Sequence, residues 1–520
     1  MRATMLNPKV EDVSTMPLGI LYVGSTLEQA GHTVNAFDPL PTVADEKVIR
    51  KIVRWEPDVV AISCTTAQMG RGLAFSRLIK EMNPNVQTVF GGYHVTAHTL
   101  EVLRDDSVDF AIRNEGEWTM RELCEELEKK QPDLAKIDGL AYKEDGRMKV
   151  NKPRELIKNL DEIPHPARHL LPVEWYLRPP GKIRGYWLER SCTMMASRGC
   201  PYFCTFCGSN AVFGRVPRYR SAENVIEEIK LLQEKWKVDG VWFADDEFTI
   251  NEKWCKDFSD KLAAEKLDFV WSCQARVNHG DMELLKSMKK SGCVQIDYGV
   301  ESGSQRILNA LRKGTTPKMI REKFAMTREA GIRTGASHLI GGPGETWDDL
   351  KLTYEQVKAI RPNFADFYFL TPLPGSEFYD QAVHNDWIPK TPYSDKWLFT
   401  RVVDSPTISL NMSPEELVKA RSWLNNMQMR RNYKSYISSP KFMVGITKIL
   451  ARGLPGLPKG LKRYYKTRKL EIIVYAMLEH NRLNSYPVNF DDEGEGHPMQ
   501  VPVQEGTKYA KDNLLRTGFR

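Results

Sequence analysis

The first 135 residues alternate between short apolar runs and longer stretches with helical periodicity. Between and after the runs, LGILYVGSTLEQAGH, GRGLAFSRLIKEMNP and GEWTMRELCEELEKK place apolar residues at helical spacing. Strands that alternate with helices favour a parallel, doubly wound sheet, so we predict an α/β domain over residues 1–135. Its strands are predicted from runs rich in β-branched residues, each followed by turn formers: ATMLNP, TVNAFDP, DVVAIS, VQTVFGG and VDFAIRN.

A second alternating region follows a hairpin and a linker, residues 136–185. GLAYKEDGRMKV contains an Asp-Gly pair typical of a tight hairpin turn, and DEIPHPARHLLP is typical of a linker. Over residues 186–400, strand–helix units predict a partial parallel (β/α)6 barrel, in which functional residues lie at the carboxyl ends of the strands. The six strands are predicted from TMMASRG, GVWFADD, FVWSCQAR, VQIDYGVES, TGASHLIGG and ADFYFLTPLPG.

The strand pattern stops near residue 400, and residues 401–520 are predicted to form a helical domain with a polar tail. Ser413, Pro414 and Glu416 form the capping-box pattern of a helix start. Fourteen Lys or Arg and no Asp or Glu lie in residues 417–470, so the rest of the chain is net negative although the whole carries +7.

Part of that basic region, residues 441–469, combines an apolar helical stripe with flanking basic residues. This pattern is typical of an interfacial helix, which predicts peripheral contact with a membrane. A helix packed on the barrel beside a solvated basic face is the alternative, and a contact with RNA phosphates is a weaker one, so nucleic acid is not the favoured partner.

The composition is that of a globular enzyme, with 41% hydrophobic and 27% charged residues. No run of about 18 apolar residues predicts a membrane-spanning helix, and the first residues lack the apolar length of a secretory signal. Nine scattered cysteines do not form a disulfide framework. We therefore expect a cytoplasmic protein with reduced thiols, at the membrane only peripherally.

Three cysteines have the spacing of metal ligands: Cys200, Cys204 and Cys207, in SRGCPYFCTFCG. They follow the first predicted barrel strand. A structural zinc site has four protein ligands, whereas three thiolates can hold an iron–sulfur cluster with one iron open to a further ligand. Zinc with a distant fourth ligand such as Cys192, and three unrelated buried cysteines, are the alternatives.

The CxxxCxxC spacing, with Phe206 before the last cysteine, resembles the radical S-adenosylmethionine (SAM) superfamily. The resemblance implies a 4Fe-4S cluster on the three cysteines, SAM on its fourth iron, reductive cleavage of SAM to a 5′-deoxyadenosyl radical, and an electron donor such as flavodoxin or ferredoxin. It leaves open which acidic residue of FADDEF contacts the SAM amino group. The SAM-binding residues that it implies are Phe206, Asp245, Asp246 or Glu247, Arg276, Glu301 with Ser302, and Gly341 with Gly342.

The first domain resembles the cobalamin-binding domain that precedes the barrel in one large subgroup of these enzymes. PLGILYVGSTLEQAGHTV, DVVAIS running into CTTAQ, and VFGGYHVT carry the resemblance. Residues 7–19 contain no histidine where the wider fold has a DxHxxG motif, so we expect cobalt without a protein histidine there; His94 is the other candidate ligand, or a hydrogen-bonding group of its loop. A domain that binds nothing is the alternative. The implied cobalamin contacts are Ser63, Thr65, Gly91, Gly92 and His94.

Together the resemblances cover residues 1 to about 400 and imply methylation of an unactivated carbon of a substrate. The basic segment adds the expectation of a large hydrophobic substrate, a lipid or a tetrapyrrole. An oxidative cyclase of the anaerobic magnesium-protoporphyrin monomethyl ester type is the alternative activity, and a non-catalytic cobalamin or zinc sensor is a remote one. A methylthiotransferase is disfavoured because it would carry a second cysteine set, and the first domain has only Cys64 and Cys124.

Overall fold

The computed structural model describes residues 1–10, 15–178, 181–184, 186–388, 408 and 410–437. It also describes residues 443–444, 447–448, 451, 454–458 and 461. Most of the basic segment, residues 441–469, and all of the polar tail beyond residue 488 lie outside the described residues. The prediction of an interfacial helix therefore stays a prediction.

The first domain is a seven-stranded sheet with the strand order β2-β1-β3-β4-β5-β6-β7. Its strands are β1 (Arg2–Leu6), β2 (Thr33–Phe37), β3 (Val59–Ser63), β4 (Gln87–Gly91), β5 (Phe110–Ile112), β6 (Leu140–Glu144) and β7 (Arg147–Val150). Its helices are α1 (Leu18–Gln29), α2 (Asp45–Arg54), α3 (Met69–Met82), α4 (Tyr93–Ala97), α5 (Thr99–Leu103) and α6 (Glu117–Leu127). The five predicted strands are confirmed.

The pairing in this sheet changes direction after its fifth strand. β1 to β5 are parallel, whereas β5–β6 and β6–β7 are antiparallel. The predicted Asp-Gly hairpin is confirmed, and it extends the edge of the first sheet. From β1 the chain runs to β2 on one side of β1, and from β2 it returns to β3 on the other side. The strand order therefore reverses between β1 and β3. Open α/β sheets bind ligands at the carboxyl ends of the strands at such a point.

The central domain has a six-stranded parallel sheet with the order β15-β14-β13-β12-β11-β8. The strands are β8 (Ser191–Met194), β11 (Gly240–Phe243), β12 (Val270–Ala275), β13 (Cys293–Glu301), β14 (Arg333–Ile340) and β15 (Phe364–Phe369), and a short ladder pairs β9 (Ser197–Arg198) with β10 (Arg218–Tyr219). The sequential order confirms the predicted partial barrel. Buried aromatic residues fill its outer layer, with Trp271 and Phe258 in edge-to-face contact.

The next helices are α7 (Val173–Tyr176), which lies in the linker before β8, and the helices that alternate with the barrel strands. The latter are α8 (Asn210–Phe213), α9 (Ala222–Trp236), α10 (Glu252–Ala264), α11 (Met282–Lys290), α12 (Gln305–Ala310), α13 (Pro317–Glu329), α14 (Trp347–Ile360) and α15 (Glu377–His384). Single 3-10 turns span Thr66–Gln68, Leu134–Lys136, Leu160–Glu162, Arg168–Leu170 and Leu454–Gly456. Several helices begin at a side-chain cap, as Ser221 does for α9 by accepting from the amide of Asn224.

A long helix, α16 (Pro414–Ile437), packs against the barrel after β15. The Ser413 amide donates to Glu416 at 2.8 Å, and the Glu416 amide donates to the Ser413 hydroxyl at 3.2 Å, so the predicted capping box is confirmed. The ring of Trp423 stacks on that of Tyr354 with the centroids 4.6 Å apart. Among the helices in the described residues, none has both the length and the apolar character needed to cross a membrane.

Buried ion pairs join the first domain to the start of the barrel. Arg198 of β9 donates to Glu115 at 2.8 Å and to Glu117 at 2.6 Å, and Arg218 of β10 donates to Glu115 at 2.7 Å. All four side chains are buried. We call these four residues the bridging network. It fixes the strand that leads into the cysteine loop against the β5–α6 connection of the first domain.

Candidate active site

The three predicted metal ligands lie on one loop at the carboxyl end of the barrel. Cys200, Cys204 and Cys207 follow β9 and are all half-buried. The Cys200 amide donates to the Gly214 carbonyl at 3.4 Å, and the Cys207 amide donates to the Cys204 carbonyl at 3.2 Å. Backbone contacts therefore hold the loop, while the thiols remain accessible in the cleft.

Gly199, directly before the first cysteine, has a conformation that requires glycine. Its φ is +90°, and a Cβ there would lie 2.8 Å from the Val216 carbonyl oxygen and 3.0 Å from that of Phe213. Backbone atoms cannot move aside as a flexible side chain can. The SRG that precedes Cys200 thus serves the close contact between the cysteine loop and residues 213–216.

The surroundings of the thiols suit a positively charged metal cluster. Burial raises the pKa of the Cys207 thiol to about 11 and shifts the pKa of Cys200 in the same direction, and the carboxylate of Asp246 adds to both shifts. Thiolates at this place need a cationic partner, which iron supplies on binding. The donor set therefore fits an iron–sulfur cluster.

Within the described ranges, no group of three or more His, Cys, Asp and Glu side chains could hold a single metal ion. An iron–sulfur cluster does not require side chains that converge on a single ion. Each cysteine of a cubane binds a different iron atom, so the three sulfurs need not surround one ion.

Arg276, at the end of β12, reaches the cysteine loop. Its Nη1 lies 3.2 Å from the Cys204 sulfur, and its guanidinium stacks 3.7 Å from the centre of the Tyr202 ring. The same group also donates to the Lys313 carbonyl. A buried, fixed cation beside Cys204 attracts a carboxylate ligand.

The acidic residues of FADDEF point in different directions. Asp245 accepts from the Ser197 hydroxyl at 2.5 Å and from the Ala196 amide at 3.1 Å, so it holds the strand before the cysteines. Burial raises its pKa to about 7. Asp246 is the one of the three that is exposed, and the protein atoms around it still raise the pKa of its carboxyl by desolvation.

Glu247 is buried with one oxygen satisfied and one not. Its Oε1 accepts from the amides of Arg276 and Thr249 at 3.1 and 3.2 Å, whereas Oε2 is buried without a hydrogen-bond partner. Burial raises its pKa to about 7. An orphaned carboxylate oxygen costs free energy unless a proton or a ligand satisfies it, so it fits a cofactor contact.

The candidates on β13 are engaged within the protein. Glu301 forms a buried ion pair with Lys313 at 2.7 Å, and its φ of +62° is unusual for a residue with a side chain. Ser302 is buried and lies 3.2 Å from the Thr353 hydroxyl. Lys313, which the sequence did not single out, thus becomes a residue of the site through its contacts with both Glu301 and Arg276.

The candidates on β14 and on the cysteine loop also have protein partners. The amides of Gly341 and Gly342 donate to Glu345 at 2.6 and 3.3 Å, and Glu345 keeps a buried Oε1 without a partner. Burial raises the pKa of Glu345 to about 7. Phe206 packs on a small apolar cluster that contains Phe378.

A cavity of about 380 Å³ lies between the first sheet and the cysteine loop. The carboxyl ends of β1, β3, β4 and β5 form one wall, and Met195, Arg198 and Phe213 form part of the other. Three of the residues predicted to contact cobalamin, Ser63, Gly91 and Gly92, line this cavity. The polar lining residues that the sequence analysis did not single out include Tyr93, Asn114, Glu115 and Glu117.

Gly92 and Gly91 differ in the space around them. Gly92 has a φ of +94°, and a Cβ there would lie 2.9 Å from the Ser63 hydroxyl, so the contact between the β3 and β4 loops requires glycine. At Gly91 the nearest atom to a Cβ is the Ile112 carbonyl oxygen at 3.9 Å. Of the two glycines, Gly91 is therefore the one with open space beside it, at the cavity wall.

His94 and Thr65 do not line the cavity. His94 is buried, and its Nδ1 lies 3.0 Å from the Thr66 hydroxyl. Burial lowers its pKa to about 3, so the ring is neutral. Thr65 begins a 3-10 turn, where its amide donates to the Gln68 side chain at 2.9 Å. The structure thus gives both residues a role in holding the β3–α3 and β4–α4 loops.

Comparison with known proteins matches both domains. Residues 194–357 match the Radical SAM superfamily model, and residues 12–124 match the B12 binding domain model. An uncharacterised methyltransferase of Pyrococcus horikoshii is 33% identical over 430 residues, which cover 82% of this chain and 89% of that protein. The anaerobic magnesium-protoporphyrin IX monomethyl ester cyclase of Rubrivivax gelatinosus is 28% identical, over 70% of this chain and 66% of that enzyme.

A solved structure has the same fold. The radical S-adenosylmethionine methyltransferase TsrM of Kitasatospora setae, solved with cobalamin and a [4Fe-4S] cluster bound, superposes with a TM-score of 0.62. The match covers 76% of this chain and 77% of that one at 16% sequence identity. At that identity the likeness concerns the fold.

Proposed function

The chain belongs to the cobalamin-dependent radical SAM enzymes, and on that premise we propose that it transfers a methyl group from cobalamin to an unactivated carbon of its substrate. The observation that carries the proposal is the contact between the cysteine loop and the cavity of the first domain. Ser209, two residues after the last cysteine, lines the cavity of the first domain together with Phe213. A methyl group held in that domain would lie beside the site where a substrate radical forms.

The cofactors supply the difficult chemistry, since the cluster with SAM provides one-electron cleavage and cobalamin carries the methyl group. Cys200, Cys204 and Cys207 would hold the cluster. Arg276 would keep a fixed positive charge beside Cys204 and attract the SAM carboxylate. The first domain closes one side of the cleft and so limits the access of water to the reacting groups.

Asp246 is the carboxylate that we assign to the SAM amino group. Asp245 is turned toward the backbone of Ala196 and Ser197, and one oxygen of Glu247 is used by the Arg276 amide. Asp246 is exposed, with its carboxylate accepting from the Ser209 side chain and the Gly199 amide, and it is close enough to Cys200 and Cys207 to raise the pKa of both thiols. Glu247, with its unsatisfied Oε2, is then a candidate for a contact deeper in the same pocket.

We expect cobalamin to bind against Ser63 and Gly91 without a protein histidine on cobalt. His94 is buried against Thr66 and does not line the cavity. Electron paramagnetic resonance of the reduced, cobalamin-loaded protein should therefore show no hyperfine splitting from a protein imidazole, and His94→Gln should leave the spectrum unchanged. A splitting that disappears in this variant would make His94 the ligand.

Anaerobic turnover with methyl-labelled SAM tests the activity. Methyl transfer should consume two SAM per product and yield one S-adenosylhomocysteine, one 5′-deoxyadenosine and one labelled product. The similarity to the Rubrivivax gelatinosus cyclase favours the second candidate, an oxidative cyclase. Formation of 5′-deoxyadenosine with no label in the product would indicate that activity instead of methyl transfer.

The same assay addresses the substrate class. We propose a large hydrophobic substrate, a lipid or a tetrapyrrole, that the enzyme takes from an anionic membrane surface through residues 441–469. The support is the basic, apolar sequence pattern of that segment. Candidate substrates presented in anionic vesicles should turn over faster than in neutral vesicles at low salt, and equal rates in both would contradict the membrane contact.

A further inference from the structure

Two strongly exposed apolar side chains lie on the cysteine loop and shortly after it in the chain. Phe203, between the first two cysteines, is 61% exposed, and Val216 is 66% exposed. Arg215 directly precedes Val216 in the chain, and its guanidinium lies 3.7 Å from the centre of the Phe203 ring. We call these three residues the cluster-side patch.

The patch is fixed to the backbone around the cysteines. Arg215 donates to the Tyr202 carbonyl at 2.8 Å, and the Val216 carbonyl oxygen is 2.8 Å from the position of a Cβ on Gly199. The β9–β10 ladder pairs Arg198 with Arg218 immediately beside these residues. Because both sides of Cys200 are held by residues 213–218, the patch has a fixed position relative to the thiols.

Neighbouring side chains of the cysteine loop have opposite surroundings. Tyr202 stacks on the buried Arg276 and contacts His279, so it serves the interior of the site. Phe203, the next residue, is exposed on the other side of the loop and contacts Arg215. The patch therefore lies outside the contacts made by the proposed SAM residues, at a surface only a few bonds from the cluster ligands.

The charge of the patch is positive. Among the described residues Arg215 forms no ion pair with a carboxylate, and its side chain contacts the Tyr202 carbonyl and the Phe203 ring. Aromatic residues and arginine are enriched at protein interfaces, and an exposed cation increases the rate of encounter with an acidic partner. A small patch of this composition fits a weak and short-lived complex.

We propose that Phe203, Arg215 and Val216 form the docking surface for an acidic protein that donates single electrons to the cluster. The proposal rests on the proposed function, which requires a reduced cluster. In each encounter the donor is oxidised by one electron and the cluster is reduced by one electron, with no bond formed or broken between the two proteins. A docking role accounts for an exposed aromatic side chain, Phe203, on the loop that carries the cysteines.

The test compares two reductants on the full chain loaded with cluster and cobalamin. We expect Arg215→Glu and Phe203→Ala to lower 5′-deoxyadenosine formation with limiting reduced flavodoxin by about fivefold or more, through weaker encounter. With titanium(III) citrate, which needs no docking surface, both variants should match the unchanged protein. Leu352→Ala, on α14 and 53% exposed, is the control that should match it with both reductants.

Salt dependence gives a second measurement. The flavodoxin-driven rate of the unchanged protein should fall as ionic strength rises, and Arg215→Glu should lose most of this dependence. Unchanged flavodoxin-driven rates in both variants would place the docking surface elsewhere. If a variant with full iron loading loses 5′-deoxyadenosine formation equally with both reductants, the patch stabilises the enzyme itself and is not a docking surface. Failure of the unchanged protein to form 5′-deoxyadenosine with titanium(III) citrate would refute the proposed function itself.

Discussion

Replacing Cys200, Cys204 or Cys207 by alanine should abolish 5′-deoxyadenosine formation, with a loss of about 1,000-fold or more for each single variant. The three thiolates act as a unit, so removal of one removes the function of all. Iron and sulfide analysis of protein reconstituted without oxygen should show about four irons per chain in the unchanged protein and much less in the variants. The measurement is 5′-deoxyadenosine after reduction in the presence of SAM.

Cys192→Ala is the matched control for the alternative zinc site. Cys192 is buried in β8, next to the strand that leads to the cysteine loop. We expect this variant to keep its iron, its sulfide and its activity. A site that contains zinc without sulfide, and that is lost when Cys192 is removed, would show that the cysteines form a closed zinc site instead.

Arg198→Met should lower the free energy of unfolding by about 3–5 kcal/mol, because it leaves Glu115 and Glu117 buried with fewer partners. In the wild-type protein, Arg198 donates to these carboxylates at 2.8 and 2.6 Å. Denaturant unfolding with separate probes for the two domains is the measurement, since a protein of several domains need not unfold in one step. Loss of stability should accompany weaker cobalamin binding, because Arg198 also lines the cavity.

An exposed ion pair provides the comparison. Lys351 and Asp348 lie 2.8 Å apart, with side chains that are 66% and 88% exposed. Lys351→Ala should change the free energy of unfolding by no more than about 1 kcal/mol, as is usual for surface pairs. If Arg198→Met costs no more than this control, the bridging network does not hold the two domains together.

Most of the fold could be predicted from the sequence because its strands are short, apolar and separated by helices of regular period. The six barrel strands and five sheet strands follow directly from runs such as DVVAIS and FVWSCQAR. The hairpin of residues 140–150 shows that the sequence pattern does not reveal which strands pair. Its Asp-Gly turn is visible in the sequence, but only the pairing of β6 with β5 places it in the first sheet.

The three cysteines are the part of the site that sequence alone locates, because all of them lie within one short loop. The direction of a side chain at a strand end depends on neighbouring strands, so FADDEF could not show that Asp245 faces Ser197 and Asp246 faces Ser209. The bridging network was missed for a related reason. Glu115 and Arg198 are far apart in the chain, and no local pattern marks an acid and a base that meet only after folding.

The contact between Tyr93 and Gly208 limits which parts of the protein can change when the enzyme acquires a new substrate. A methyl group in place of the Gly208 hydrogen would overlap the Tyr93 ring, and the Tyr93 hydroxyl donates to the Pro374 carbonyl, so the loop of the first domain touches both the cysteine loop and the end of the barrel. The Tyr93 side chain, held between these two backbone segments, therefore helps to set the distance between the first domain and the cysteine loop. Change of substrate during evolution, or by engineering, should then proceed through residues that face the barrel interior and through the C-terminal region, whereas substitutions that alter the spacing of the two domains should abolish turnover of every substrate.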